Sequence, residues 1–472
     1  MSRATALAAV LAAALAVAGC GGGEADPAGA GFAPAATQVF LSVNTDLDSE
    51  EWDAARAFVG RFPDGDRFLA FLTEELFPPG TDLEEDVEPA LGPELGIAVM
   101  DVEEETVVAF ARPDDPSKLA AVLAEAERDV VKREIDGWTA FSDDAAALEA
   151  FAAAREEGSL AGSDDFERIA ADLPDDALVS VYANGEELEA AAGGEVPFSP
   201  PSAAFALVAD ADALRVQGAA ELEPIDAFVS EPYEAELPTV VPAGAFTYVS
   251  FRDLEGALSA LRDLFAAAEP DLERDIARLE SVLGLSLEED VLPLFAGEGA
   301  LYARRGFALP EVTLLLQVDD ESGARQTLDD LVALARTYLG VAEPTRTTVA
   351  GVEVVEVPVT DFVSVYYGVF DGMVVVTTSS AGIRDLREER RTLADDETFR
   401  AALEEAEVPD ETVGFAYVDL GEAIPLAFEL AGFAGDEVPA VVRENLEPLE
   451  SFVAYGDAND DVLRFSAFLS VK

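Results

Sequence analysis

Cys20 is the only thiol in this chain, and its setting gives it a chemistry. Arg3 supplies a positive start, an apolar stretch runs from Ala4 to Val17, and the small residues Ala18 and Gly19 close it. That order is the order of a secretory signal peptide. The run Leu15-Ala16-Val17-Ala18-Gly19-Cys20 reads as a lipobox, in which the chain is cleaved just before the cysteine and the thiol is acylated. The apolar core is shorter than the ~20 residues a bilayer-spanning helix needs. Gly21-Gly22-Gly23 follows at once and suits a flexible tether. Each buried acyl CH₂ is worth ~0.8 kcal/mol, so two or three chains give lasting attachment. The expected placement is the extracytoplasmic face of a cell membrane, with the membrane itself as partner through acylated Cys20.

The carboxylates are the second chemical resource. Asp and Glu total 96 against 29 Lys plus Arg, for a net charge of −67. Loss of Arg3 with the signal would take −67 to −68. Lys118, Lys132 and Lys472 are the only lysines. No basic footprint exists to release phosphate counterions, so nucleic acid is excluded as a partner. Anionic headgroups should repel the body. There is no histidine, which removes Ser-His-Asp and Cys-His catalysis and the commonest transition-metal ligand. Carboxylate pairs and hard, oxygen-ligated cations are what remain.

Several acidic groups could serve. Asp82, Glu84, Glu85 and Asp86 form one cluster, echoed by Glu288, Glu289 and Asp290. Their place at the start of a turn equally suits a helix dipole. Asp210 and Asp212, matched by Asp457, Asn459 and Asp461, resemble the opening of a calcium loop. The glycine and terminal glutamate of such a loop are missing, and hairpin chemistry accounts for them. The glycines near Gly92–Gly96 and Gly297–Gly299 lack the Lys-Ser/Thr and the following helix of a phosphate loop. Glu94 and Glu298 are a carboxylate pair suited in type to acid/base work. The expected site inventory is lipidation at Cys20, with no catalytic, cofactor-binding or metal-binding residue and no cofactor.

The elements that position these residues occur twice. Pro34 opens PAATQVFLSV and Pro242 opens PAGAFTYVSF. Each precedes a helical pattern: Trp52, Ala55, Val59 and Phe62, then Leu254, Leu258, Leu261 and Phe265. LEEDVEPALGPELGIAV from Leu83 matches LEEDVLPLFAGEGALYA from Leu287. Alternation predicts strands at Leu95–Met100, Thr106–Ala111, Ala300–Ala303 and Val312–Val318, with helices at Ser117–Arg128 and Glu321–Leu339. The match continues from Asp136 to Asp371, Leu160 to Leu393, Pro174 to Pro409 and Phe205 to Phe452. Asp371-Gly372 predicts a hairpin turn between Val363–Phe370 and Met373–Thr378. Phe40, Trp52, Phe58, Phe246, Tyr248 and Phe251 are expected in the core.

This organisation predicts an α+β protein of two tandem duplicated domains, each an antiparallel sheet with helices packed on one face. The expected boundaries are a signal peptide at 1–19, a tether at 20–33, a first repeat at 34–222, a linker at 223–241 and a second repeat at 242–472. Disulfides are impossible in the mature chain, so packing must supply stability.

The lipobox, the Pro-Ala opening, Leu91–Gly96, Asp136–Trp138 and Leu160–Phe166 together resemble the bacterial domain-of-unknown-function 3352 family. The resemblance covers nearly all of the mature chain. It implies a secreted or membrane-tethered bacterial protein, often a lipoprotein, and carries over no activity or catalytic residue. Phe295-Ala296-Gly297-Glu298 departs from the Leu-Gly-Pro-Glu of the first repeat. The favoured reading is a lipid-anchored, non-catalytic binding or structural module of the cell envelope. Its partner is left open among an envelope protein, a lipid and a small ligand. The alternatives are a histidine-free, carboxylate-dependent hydrolase and an acidic cation-binding surface protein.

Overall fold

A computed structural model describes residues 28–76, 81–125, 130–170, 173–185, 201–222, 229–268, 274, 278, 280–281, 284–307, 309–338, 340–360, 363–435, 437–459 and 461–472. Cys20 and the signal segment lie outside them. The described strands of the first half are β1 Val39–Asn44, β2 Glu94–Asp101, β3 Thr106–Ala111, β4 Val131–Ile135, β5 Trp138–Ser142, β6 Val179–Asn184, β7 Ser202–Asp210 and β8 Ala213–Glu221. Those of the second are β9 Ala245–Arg252, β10 Glu298–Arg304, β11 Glu311–Gln317, β12 Thr345–Val349, β13 Val352–Pro358, β14 Ser364–Phe370, β15 Met373–Thr377, β16 Gly414–Asp419, β17 Leu449–Asn459 and β18 Val462–Val471. The strands predicted by alternation fall on β2, β3, β10, β11, β14 and β15 to within two residues at each end.

The chain forms two compact units. One comprises Met1–Pro224, Pro439–Leu449 and Asn459–Lys472; the other comprises Ile225–Val438 and Glu450–Ala458. In the first, antiparallel pairing runs β4-β5-β3-β2-β1-β6-β7-β8-β18. In the second it runs β12-β13-β14-β15-β11-β10-β9-β16-β17. The order β4-β5-β3-β2-β1-β6-β7 therefore recurs as β14-β15-β11-β10-β9-β16-β17, and the second unit adds the hairpin β12-β13. β18 lies inside the expected second repeat, yet it pairs along β8 from Val462↔Glu221 to Ser470↔Ala213 and so builds the first unit.

The antiparallel α+β class stands, but helices cover both faces of the first ladder, not one. Successive strand residues point to opposite faces. Phe40 packs with Ala98, Val108, Phe110 and Tyr182 under helices α1 and α2, defined here as Ala145–Arg155 and Asp164–Ala170, which supply Phe151, Phe166 and Ile169. Leu41, the next residue, packs on the other side with Val179, Ala209 and the helix Glu50–Val59 through Ala55 and Trp52. In the second unit, α3 (Glu321–Tyr338) lays Ala324 and Leu328 against Leu316, Val369 and Val374. Across that sheet, Tyr248, Phe415 and Tyr417 meet Phe399 of α4 (Glu397–Glu405). The six aromatics expected inside are there: Phe40, Phe58, Phe246 and Tyr248 are buried, and Trp52 and Phe251 are half-buried against their clusters.

Two connecting segments differ from expectation. Residues 28–33, expected at the end of a tether, are core: Ala30, Phe32 and Ala33 are buried. Phe32 gives the reason, because its ring fills a space between Phe110, Trp138 and Phe151. Residues 229–241, expected in a linker, likewise bury Tyr233, Leu237 and Val241. Pro34 bridges to Ser159 and Pro242 to Thr392, so each segment docks in the same place on its own unit.

Candidate functional site: two buried carboxylates and the segments they hold

Glu94 opens β2 and Glu298 opens β10, each at the edge of a segment that has just entered the core. The carboxylate of Glu94 accepts hydrogen bonds from the Gly29 N–H, at 3.0 Å on Oε1 and 2.9 Å on Oε2, and from the Ser42 hydroxyl at 2.6 Å on Oε1. Glu298, 3% exposed, accepts from the N–H groups of Glu236 at 3.0 Å and Leu237 at 2.9 Å. Gly29 stands five residues before Pro34, and Leu237 five before Pro242. The same backbone position is therefore held by the same carboxylate in both units. Leu237 begins the short 3₁₀ turn Leu237–Thr239, and residues 28–33 form a turn closed by Phe32 N–H and Ala33 N–H on the Gly29 carbonyl. Free N–H groups at the start of a turn favour an anion, and here a distant side chain supplies it.

The electrostatics agree with a holding role. Burial pushes the Glu94 carboxyl above the usual range, opposed by the Ser42 hydroxyl, the Gly29 N–H and then the Arg112 charge. Burial also pushes Glu298 up, opposed by the Leu237 and Glu236 N–H groups and by Arg252, while the Glu236 charge adds to the rise. Beside Glu298, the Tyr233 hydroxyl lies 2.6 Å from Ser250 Oγ, and burial leads in pushing that phenol up to about 12. Glu94 is half-buried by comparison; another buried carboxylate, Glu311, sits 4.0 Å from Arg304, which itself bonds Asp385 at 2.9 Å. What these groups can do chemically is accept hydrogen bonds in fixed geometry. Each bond to a charged acceptor is worth about 1.5–3 kcal/mol, against a desolvation cost of similar order.

The other acidic candidates have local duties. Asp82 accepts from the Glu84 and Glu85 N–H groups and so starts a π-helical turn at Leu83–Val87. Asp86 takes the Asp82 N–H and an ion pair with Lys118 at 2.7 Å. In the second unit Ser286 caps the matching turn Leu287–Val291, and Asp290 takes the Ser286 N–H. Asp210 ends β7 and Asp212 lies in the two-residue β7–β8 turn, while Asp457 and Asn459 lie in β17 and Asp461 lies just before β18. Gly92 and Gly297 lead into strands, not helices. Among the described residues no group of three or more His, Cys, Asp or Glu is placed to hold a metal ion. No helix among them is long and apolar enough to cross a membrane.

Sequence reasoning paired Glu94 with Glu298 but missed what they hold, namely Gly29 and Leu237. Arg155 was also missed: its Nε donates to the Phe32 carbonyl at 2.6 Å and its guanidinium lies 3.9 Å from the Phe32 ring centre. The usable signal was Phe32 itself, an aromatic in an otherwise small-residue stretch.

A family model described as "Protein of unknown function (DUF3352)" matches residues 124–471. No curated protein matches the sequence. Similar solved structures include crystal form IV of TP0453, with 13% identity, 50% of this chain and 94% of that chain covered, and a TM-score of 0.25. Crystal form I of TP0453 gives 13% identity, 48% and 75% coverage and a TM-score of 0.24. Likeness at that level carries no argument about fold or function.

Proposed function

The chain belongs to the DUF3352 family of proteins of unknown function, and within it we propose a lipid-anchored, non-catalytic binding or structural protein of the bacterial envelope. The observation that carries this is the lipobox at Leu15–Cys20 after a charged start and an apolar run. Acyl chains on Cys20 hold the protein to the membrane, and the acidic body stands off from anionic headgroups. A non-catalytic role is supported by the lack of histidine and by the engagement of Glu94 and Glu298 with backbone N–H groups.

Replacing Cys20 tests the anchor. In its own host, Cys20→Ser should release the protein from membranes or leave an uncleaved precursor, read by fractionation and intact-mass spectrometry. Unchanged membrane retention with an unmodified residue 20 in the parent would overturn the reading. Pull-down of the intact protein, with lipid and protein mass spectrometry, then identifies what it holds.

A further inference from the structure

Residues 28–33 belong to no described strand or helix, yet they plug the first unit's core. Phe32 is the only bulky side chain they contribute: its ring centre lies 4.9 Å from that of Phe110, 5.1 Å from Trp138 and 5.6 Å from Phe151. Ala30 and Ala33 are buried in the same cluster, and the rest of the attachment is polar. Gly29 donates to Glu94, Arg155 donates to the Phe32 carbonyl, and the N–H groups of Leu160 and Ala161 donate to the carbonyls of Ala33 and Ala30. One buried Phe and two buried Ala do not by themselves offset the entropy of ordering six residues, which is about 1–2 kcal/mol each, so these bonds decide whether the segment stays down. The fit at Gly29 is close: a Cβ there would come within 2.6 Å of Glu94 Oε1 and 3.2 Å of the Phe40 and Phe110 rings.

We propose that residues 28–33 are a strap that opens and closes as a unit, with Glu94 as its latch, and that opening uncovers an aromatic slot lined by Phe40, Phe110, Trp138 and Phe151. The proposal goes beyond the anchor reading and holds whether or not Cys20 is acylated. The groups facing the Glu94 carboxylate are Gly29 from the strap, Ser42 from β1 and Arg112 just after β3. Closure strips the carboxylate of water, while opening returns it. Closing therefore acts on the carboxyl in two ways, since burial favours its proton and the Gly29 N–H opposes it; burial is the larger, so the closed strap takes up a proton more readily than the open one. Acid therefore tightens the strap, and it loosens as pH rises from the ordinary carboxylate range through the raised value.

Trp138 reports on this directly, since Phe32 stacks on it at 22° between planes. Trp52 is the only other tryptophan, so Trp52→Phe leaves Trp138 as the sole emitter. In that background, acrylamide quenching of Trp138 should rise with pH while far-UV circular dichroism stays constant. Gly29→Val, which cannot dock against Glu94, should show at least twofold stronger quenching at every pH with the sheet intact. Glu94→Gln should quench weakly and lose the pH dependence. Quenching in Gly29→Val equal to the parent would show that the strap does not open separately. A pH profile in Glu94→Gln equal to the parent would remove Glu94 as the latch. Should Glu94→Gln fail to fold, hydrogen exchange of the 28–33 amides in the parent and in Gly29→Val decides, and exchange only by global unfolding overturns the proposal.

Discussion

At the scale of single residues, Glu94 and Glu298 each hold backbone with a carboxylate drawn out of water. Glu298 is the clearest case, because both its partners are N–H groups at the start of a turn. Glu298→Ala would leave those donors without an acceptor, at about 1–3 kcal/mol each, and denaturant unfolding should show a total loss of about 2–6 kcal/mol. Glu298→Gln keeps one acceptor oxygen and should lose less. Its pH dependence has a definite sign. Burial raises the folded-state value above the unfolded one, so the folded protein holds the proton more tightly. Stability from this group is full below the unfolded value and declines as pH rises through the raised one. In Glu298→Gln that decline should vanish, and an unchanged stability-versus-pH curve would count against the assignment. The recurrence of Glu94 and Glu298 was legible in the sequence, since LEEDV-P and the glutamate share one offset. Their partners were not, because a backbone N–H has no letter and any residue could donate it.

Among elements, hairpins were the most legible feature and connecting segments the least. Asp136-Gly137 and Asp371-Gly372 both take positive φ at two successive residues, 48° and 85° in the first and 51° and 71° in the second. That is the I′ geometry whose twist matches paired strands, and it selects Asp-Gly for a physical reason that sequence displays. Gly137 isolates the backbone contribution, because a Cβ there would meet nothing within 4 Å. Gly137→Ala should therefore cost about 1 kcal/mol, with unchanged cooperativity in thermal unfolding, and a larger loss would mean β4–β5 pairing is also disturbed. The tether and linker stretches, by contrast, display only Gly, Ala and Pro content as a signal. Composition marks a stretch as irregular without saying whether it is solvated. Phe32 and Leu237 pull two such stretches inside.

For the whole molecule, the order of motifs gave the recurring strand pattern but not the placement of the last strand. Alternation in Val462–Val471 says that it pairs; it cannot say with which edge, and β8 is more than two hundred residues distant. Charge is the other whole-molecule property, and its consequence can be measured. At −67 over 472 residues, like-charge repulsion opposes the compact state. Its described ion pairs are mostly exposed, such as Arg56–Asp53 and Arg346–Glu353, and contribute little each. Salt shortens the Debye length from about 30 Å at 0.01 M to about 10 Å at 0.1 M, which weakens repulsion across the surface more than contact-range attraction. The melting temperature should therefore rise from 0.01 M to 0.1 M sodium chloride, about the low- and moderate-salt limits of that screening. Calcium chloride at equal ionic strength separates screening from binding. If charge density alone acts, it should add only the small increment expected of a divalent counterion, without saturation. A saturable rise at micromolar calcium, with heat in a titration, would instead favour the cation-binding alternative and assign the acidic surface a ligand.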